Sequence, residues 1–189
     1  MAHRTVHYVL STHWDREWYQ TFQNYRYRLV ALMDKVVAGL QEGRLKGPFT
    51  TDGQAVMLED YVEVRPERRE LVQQLARQGK INAGPWFVMP DEFIVSGESL
   101  VRNLRLGREL VRGMGAKPSD AGFVCDIFGH NSQLPQIFRG LSIPAAFLWR
   151  GLNHIEGRNM LWRGADGTTI PVYRFGMVGY CSFACQVRQ

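Results

Sequence analysis

Apolar and polar positions along this chain follow two rhythms. Short segments bounded by turn-forming residues, Val6–Leu10, Pro48–Thr51, Lys80–Gly84, Gly122–Cys125 and Ala145–Trp149, predict buried strands. Between them the apolar residues recur every three or four positions. Leu29, Met33, Val36, Val37 and Leu40 line one face of a helix predicted over 25–40, and Leu100, Leu104 and Val111 do so within 97–114. Further helices are predicted near 54–64, ended by Pro66, around Leu71 and Leu75, and near 134–140. Segments 161–163 and 169–173 flank Ala165-Asp166-Gly167 and read as a hairpin. Repeated strand–helix units with short connections imply an α/β fold with a mainly parallel sheet. No internal repeat, low-complexity tract or linker divides it, so residues 1–189 are read as one domain.

Composition narrows the class. With 189 residues, 45% of them hydrophobic, the chain can bury a sizeable core. No run of 18 or more apolar residues predicts a membrane span, and Val6–Leu10 is too brief for a signal-peptide core, so a cytoplasmic location is expected. The net charge of +5 is spread among acids, as in Arg65-Pro66-Glu67-Arg68-Arg69-Glu70, and no basic stripe points to nucleic acid. Three cysteines give no disulfide framework: Cys125 is expected to be a small buried residue, and Cys181 and Cys185 carry only a weak metal or redox spacing. Oligomerisation is left open.

Chemistry concentrates where strands end. The run His13-Trp14-Asp15-Arg16-Glu17-Trp18 follows the first predicted strand. Side chains two apart in an extended chain lie on the same side, so His13 and Asp15 converge there as a divalent ion requires. A solvated turn is the plain alternative, but two tryptophans beside three charges are a costly way to build one. The strand at 122–125 likewise ends in an acid, Asp126, before the loop residues Gly129, His130 and Asn131. Groups at the C-terminal ends of neighbouring parallel strands share a site, which would set Asp126 against His13 and Asp15. Read without the first motif, Asp126 is better taken as an ordinary turn or cap residue.

Taken together, these segments resemble the amino-terminal catalytic portion of glycoside hydrolase family 38, the retaining α-mannosidases. The resemblance rests on HWDREW at 13–18, TDGQAVMLEDY at 51–61, GPWFVMPDE at 84–92, SGESLVRNL at 96–104, CDIFGHNSQLPQI at 125–137 and FLWRG at 147–151, with the first motif nearest the bacterial branch. It implies hydrolysis of mannose-containing oligosaccharides or glycosides with retention of configuration. It also implies an irregular seven-stranded β/α barrel, incomplete in this chain, and one zinc ion. By the same resemblance His13, Asp15 and Asp126 are zinc ligands, Asp126 is also the nucleophile, Trp18 and Phe128 line the sugar subsite, and Arg150 lies beside the nucleophile.

The family pattern also calls for a fourth ligand, a histidine, and a separate acid/base aspartate, both in segments that 189 residues do not reach. The chain therefore reads as a fragment of a longer enzyme, inactive or weakly active alone. Internal substitutes are His130 or His154 as ligand and Asp91, Glu92 or Glu98 as acid, with Asp91 the best placed to contact substrate. Two other functions stay open: a metal-dependent carbohydrate deacetylase, whose metal would activate water, and a non-catalytic sugar-binding fragment.

Overall fold

The computed structural model describes residues 5, 8–152, 155–176 and 179–180. In chain order the elements are β1 (Leu10–Ser11), α1 (Phe22–Gln41), β2 (Phe49–Thr50), α2 (Val56–Val64), a 3-10 turn at Pro66–Arg68, α3 (Arg69–Arg77) and β3 (Ile81–Asn82). Then follow α4 (Gly97–Gly113), β4 (Ala121–Val124), α5 (Leu134–Gly140), β5 (Ala145–Leu148), β6 (Asn159–Arg163) and β7 (Thr169–Arg174).

The helices form where the spacing predicts them. On α1 the buried stripe Tyr25, Leu29, Val30, Met33, Val36, Val37 and Leu40 faces a core shared with α2, α3, β2 and β3. Ser96 caps α4 by accepting the Ser99 N–H at 3.1 Å, and Glu98 adds an acid to its first turn. A second core lies against β4, β5 and β7, around Trp86, Leu100, Leu104, Ile127 and Phe138.

β1, β2 and β3 are two residues long each, and the strands form two sheets. β1, β2 and β3 pair in parallel over two residues each, with Leu10 opposite Phe49 and Phe49 opposite Ile81. β4, β5 and β7 are also parallel, and β6 closes the predicted hairpin antiparallel to β7, Trp162 opposite Ile170. The α/β class and parallel pairing are as expected. Among the described residues the strands form two open sheets, with no ladder between β3 and β4, so the closed form of the barrel that the resemblance implies is not seen. Trp86 fills the seam between β3 and β4. Its fully buried indole donates to the Phe123 carbonyl at 2.9 Å, so a side chain satisfies a backbone acceptor of β4. Of the described residues in the Val6–Leu10 run, Leu10 joins a strand, while Tyr8 and Val9 are exposed and outside it.

Two contacts set the chain between β3 and α4. Gly107 has no room for a side chain: a Cβ there would lie 2.2 Å from the Trp86 carbonyl carbon. One turn earlier the Asn103 carboxamide accepts from the Phe87 and Val88 N–H groups at 2.8 and 3.1 Å and donates to the Val88 carbonyl at 2.7 Å. This locks the segment that carries Asp91. No helix among the described residues is long and apolar enough to cross a membrane.

Candidate metal and active site

Side chains that follow the C-terminal ends of five parallel strands meet at one cavity: His13 and Asp15 after β1, Asp52 after β2, Asp91 after β3, Asp126 after β4 and Arg150 after β5. Its volume is about 660 Å³, within the usual range for small-molecule sites. His13 Nε2 lies 3.1 Å from Asp15 Oδ2 and 3.0 Å from Asp126 Oδ2. One ligand atom from each of the three lies within 4.8 Å of the others.

Half of the HWDREW run builds the support for the other half. Arg16 grips the buried Asp60 carboxylate of α2 with two bonds, 2.8 and 2.9 Å, and its guanidinium stacks 4.5 Å from the Phe22 ring centroid. Trp14 packs against the first core and meets Tyr25 edge-on at 6.0 Å. With Trp14 and Arg16 anchored, His13 and Asp15 are left to face the cavity.

Asp126 is engaged at both oxygens, Oδ1 by the Arg150 guanidinium and Oδ2 by His13. The Arg150 guanidinium also lies 4.3 Å from the Phe128 centroid and 5.2 Å from that of Trp149. Trp18 and Phe128 line the cavity and are 73% and 70% exposed, so neither is a core residue. Asp91 lines the same cavity, its Oδ1 accepting the Phe93 N–H at 3.4 Å.

The internal substitutes fare differently. His130 is not placed as a ligand: Nδ1 meets Glu92 Oε1 at 3.0 Å, Nε2 donates to the Arg150 carbonyl at 2.9 Å, and the ring is buried against Trp162. Glu92 is not placed as an acid, because it is fully buried and also accepts the Asn131 N–H at 2.6 Å. Glu98 sits on the exposed start of α4, paired with Arg102. His154, Cys181 and Cys185 lie outside the described residues. Cys125 is buried as expected, its thiol donating to the Phe147 carbonyl at 3.6 Å.

Asp52 was not among the expected site residues, although it stands one place beyond the predicted strand 48–51, where the strand-end argument that found Asp126 applies equally. Its Oδ2 accepts from the Trp14 N–H at 2.7 Å and lies 3.2 Å from His13 Nδ1. The Tyr180 hydroxyl is 2.7 Å from the same nitrogen. The bond with Asp52 raises the His13 pKa above its ordinary value, against the opposing effect of burial. Burial pushes the Asp52 carboxyl up, and the bonds from His13 and Trp14 pull it only part of the way back.

Known proteins share this arrangement of sequence and fold. The chain matches the glycosyl hydrolases family 38 N-terminal domain over residues 3–184. It is 33% identical over 180 residues to a putative mannosylglycerate hydrolase of Halalkalibacterium halodurans, covering 88% of this chain and 20% of that protein. It is 26% identical to the mouse alpha-mannosidase 2C1, covering 94% of this chain and 18% of the mouse protein. An alpha-mannosidase structure from Enterococcus faecalis V583 superposes with a TM-score of 0.84 at 36% identity, over 88% of this chain and 19% of that one. The chain thus spans a fifth or less of the length of these relatives. Strand-end acids around one histidine, in a sequence matched almost from end to end, place the chain in glycosyl hydrolase family 38, within its amino-terminal domain.

Proposed function

We propose that this chain supplies the nucleophile and three metal-binding side chains of a zinc-dependent, retaining α-mannosidase, as the amino-terminal part of a longer enzyme. The observation that carries the reading is the meeting of His13 Nε2 with the Asp15 and Asp126 carboxylates on a sugar-sized cavity. One imidazole nitrogen and two carboxylate oxygens, all within 4.8 Å, are a donor set that suits zinc. When bound there, zinc would supply Lewis-acid chemistry, holding ring hydroxyls and keeping the Asp126 carboxylate ionised.

The chain's own residues account for the first half of the reaction. The Asp126 carboxylate attacks the anomeric carbon as the bond to the departing oxygen breaks, and water later releases the sugar with configuration retained. Arg150 on Oδ1 orients the carboxylate for that attack. Trp18 and Phe128 offer exposed aromatic surface to the apolar face of the ring. The departing oxygen needs a proton from a second carboxyl about 5–5.5 Å from the nucleophile. Asp91 is the candidate inside the chain; the family pattern places the acid and the fourth ligand further along.

Two measurements test this reading. Zinc content is expected to fall sharply in Asp15→Ala, and equal zinc in variant and wild type would refute the ligand set. In the intact enzyme Asp126→Asn is expected to abolish turnover, and a trapped glycosyl ester on Asp126 separates the mechanism from deacetylation, which forms none. The isolated chain should hydrolyse an aryl mannoside weakly and an alkyl mannoside or mannosylglycerate hardly at all, since general acid help is worth about 10²–10⁴-fold. Robust turnover of the alkyl substrate would make Asp91 the acid.

A further inference from the structure

We infer that Asp52 is a positioning residue, holding His13 in the orientation and Nδ1–H form that turn Nε2 toward the Asp15 and Asp126 carboxylates to receive a divalent cation. The inference rests on the metal reading above. Asp52 has a φ of 51° and Gly53 one of 73°, so a residue with a Cβ is held in the left-handed region. Such a conformation costs of order 1–3 kcal/mol and persists only where its surroundings over-determine it.

Here they do. A Cβ on Gly53 would come within 2.6 Å of Phe123 Cβ, the Gly53 carbonyl accepts the Trp86 N–H at 3.1 Å, and the Thr51 hydroxyl donates to the Gln54 carbonyl at 2.6 Å. The turn aims the Asp52 carboxylate inward, where it is fully buried. Its Oδ1 has no hydrogen-bond partner, so all of its pairing runs through Oδ2, to His13 Nδ1, the Trp14 N–H and, at 3.4 Å, the Gln54 carboxamide. Gln54 also donates to the Trp14 carbonyl at 2.8 Å and accepts the Met89 N–H at 3.2 Å, tying the histidine turn to the segment before Asp91.

The chemical need is specific to this ring. A neutral imidazole carries one proton, and a nitrogen that holds it cannot ligate a metal. His13 Nε2 faces two carboxylates, which on their own draw the proton to the nitrogen that must be free. An acceptor on the opposite edge keeps the proton on Nδ1 and leaves the Nε2 lone pair for the cation. Removing such an outer partner typically costs about 10–100-fold in metal affinity.

The test uses the whole chain and two readouts, zinc affinity by competition with a chelator and the His13 Nδ1–H signal in nitrogen-resolved proton spectra, with and without zinc. Wild type should show a far-downfield, slowly exchanging Nδ1–H in both states. Asp52→Ala should lose that signal and bind zinc about 10–100-fold more weakly. Asp52→Asn, which keeps an acceptor and a similar shape, should fold even if the alanine variant does not, show the signal moved upfield and lose less affinity. Tyr180→Phe should keep the signal. If the Asp52 variants retain signal and affinity within twofold of wild type, or if Tyr180→Phe alone abolishes the signal, Asp52 does not position His13. Should wild type take up no zinc, the metal reading fails, and the metal-free signal still decides for or against Asp52.

Discussion

Replacing Glu92 by alanine isolates what the buried pair beneath the site does. Its carboxylate is fully buried and its partner His130 is only 5% exposed. Alanine removes the acceptor at 3.0 Å from His130 Nδ1 and the acceptor of the Asn131 N–H at 2.6 Å. Breaking one partner of such a pair costs about 3–5 kcal/mol. For a domain of this size 1 kcal/mol lowers Tm by about 2–4 °C, so the expected fall is roughly 6–20 °C. Glu92→Gln is the control. Its carboxamide oxygen can accept from Asn131 and its N–H can donate to a neutral His130, whose Nε2–H still reaches the Arg150 carbonyl. Every bond is kept, and the cost should stay below about 1 kcal/mol. Thermal melts followed by circular dichroism make the measurement. Equal losses in the two variants would refute the hydrogen-bond argument, and a fall of less than about 2 °C in Glu92→Ala would show that the pair is not structural.

Other predictions concern packing, the subsite and pH. Gly107→Ala drives a methyl into the Trp86 backbone, which cannot rotate away, so urea denaturation should show a loss of about 3 kcal/mol or more; a midpoint like that of wild type would mean α4 is free to shift. Trp18→Ala and Phe128→Ala should cost less than about 1 kcal/mol of stability, against about 3–5 for a core aromatic, yet weaken binding of a mannose-like inhibitor in calorimetry. A large stability loss with unchanged binding per folded molecule would contradict the subsite role. In the metal-free chain the pKa of His13 is raised, chiefly by its bond to Asp52. A base raised on folding adds stability that is fully present below its unfolded pKa of about 6.5 and is lost as pH rises through the higher folded value. Tm of the metal-free wild type should therefore fall across that window, and the profile of His13→Gln should be flatter there.

Local pattern alone made much of the site legible. The stripe from Leu29 to Leu40 announced α1 because a helix brings every third or fourth side chain to one face, and that periodicity needs no partner to be read. His13 and Asp15 share a side because they are two apart, and Asp126 ends a short apolar strand; the parallel order of the sheets turns those local facts into a meeting point. What depends on partners could not be read in this way. Apolarity at Tyr8 and Val9 does not supply a neighbouring strand, so β1 pairs over two residues only. Whether β3 and β4 would share a ladder was not legible either: they do not, and between them the Trp86 indole donates to the Phe123 carbonyl. Glu92 and His130 looked like chemistry by residue type, but burial and complete pairing consume their donors and acceptors. Asp52 was not expected in the site because the His13 nitrogen it faces lies 39 positions away along the chain. Periodicity is carried by neighbours in sequence, whereas desolvation and hydrogen-bond pairing are set by neighbours in space, and only the folded chain brings those together.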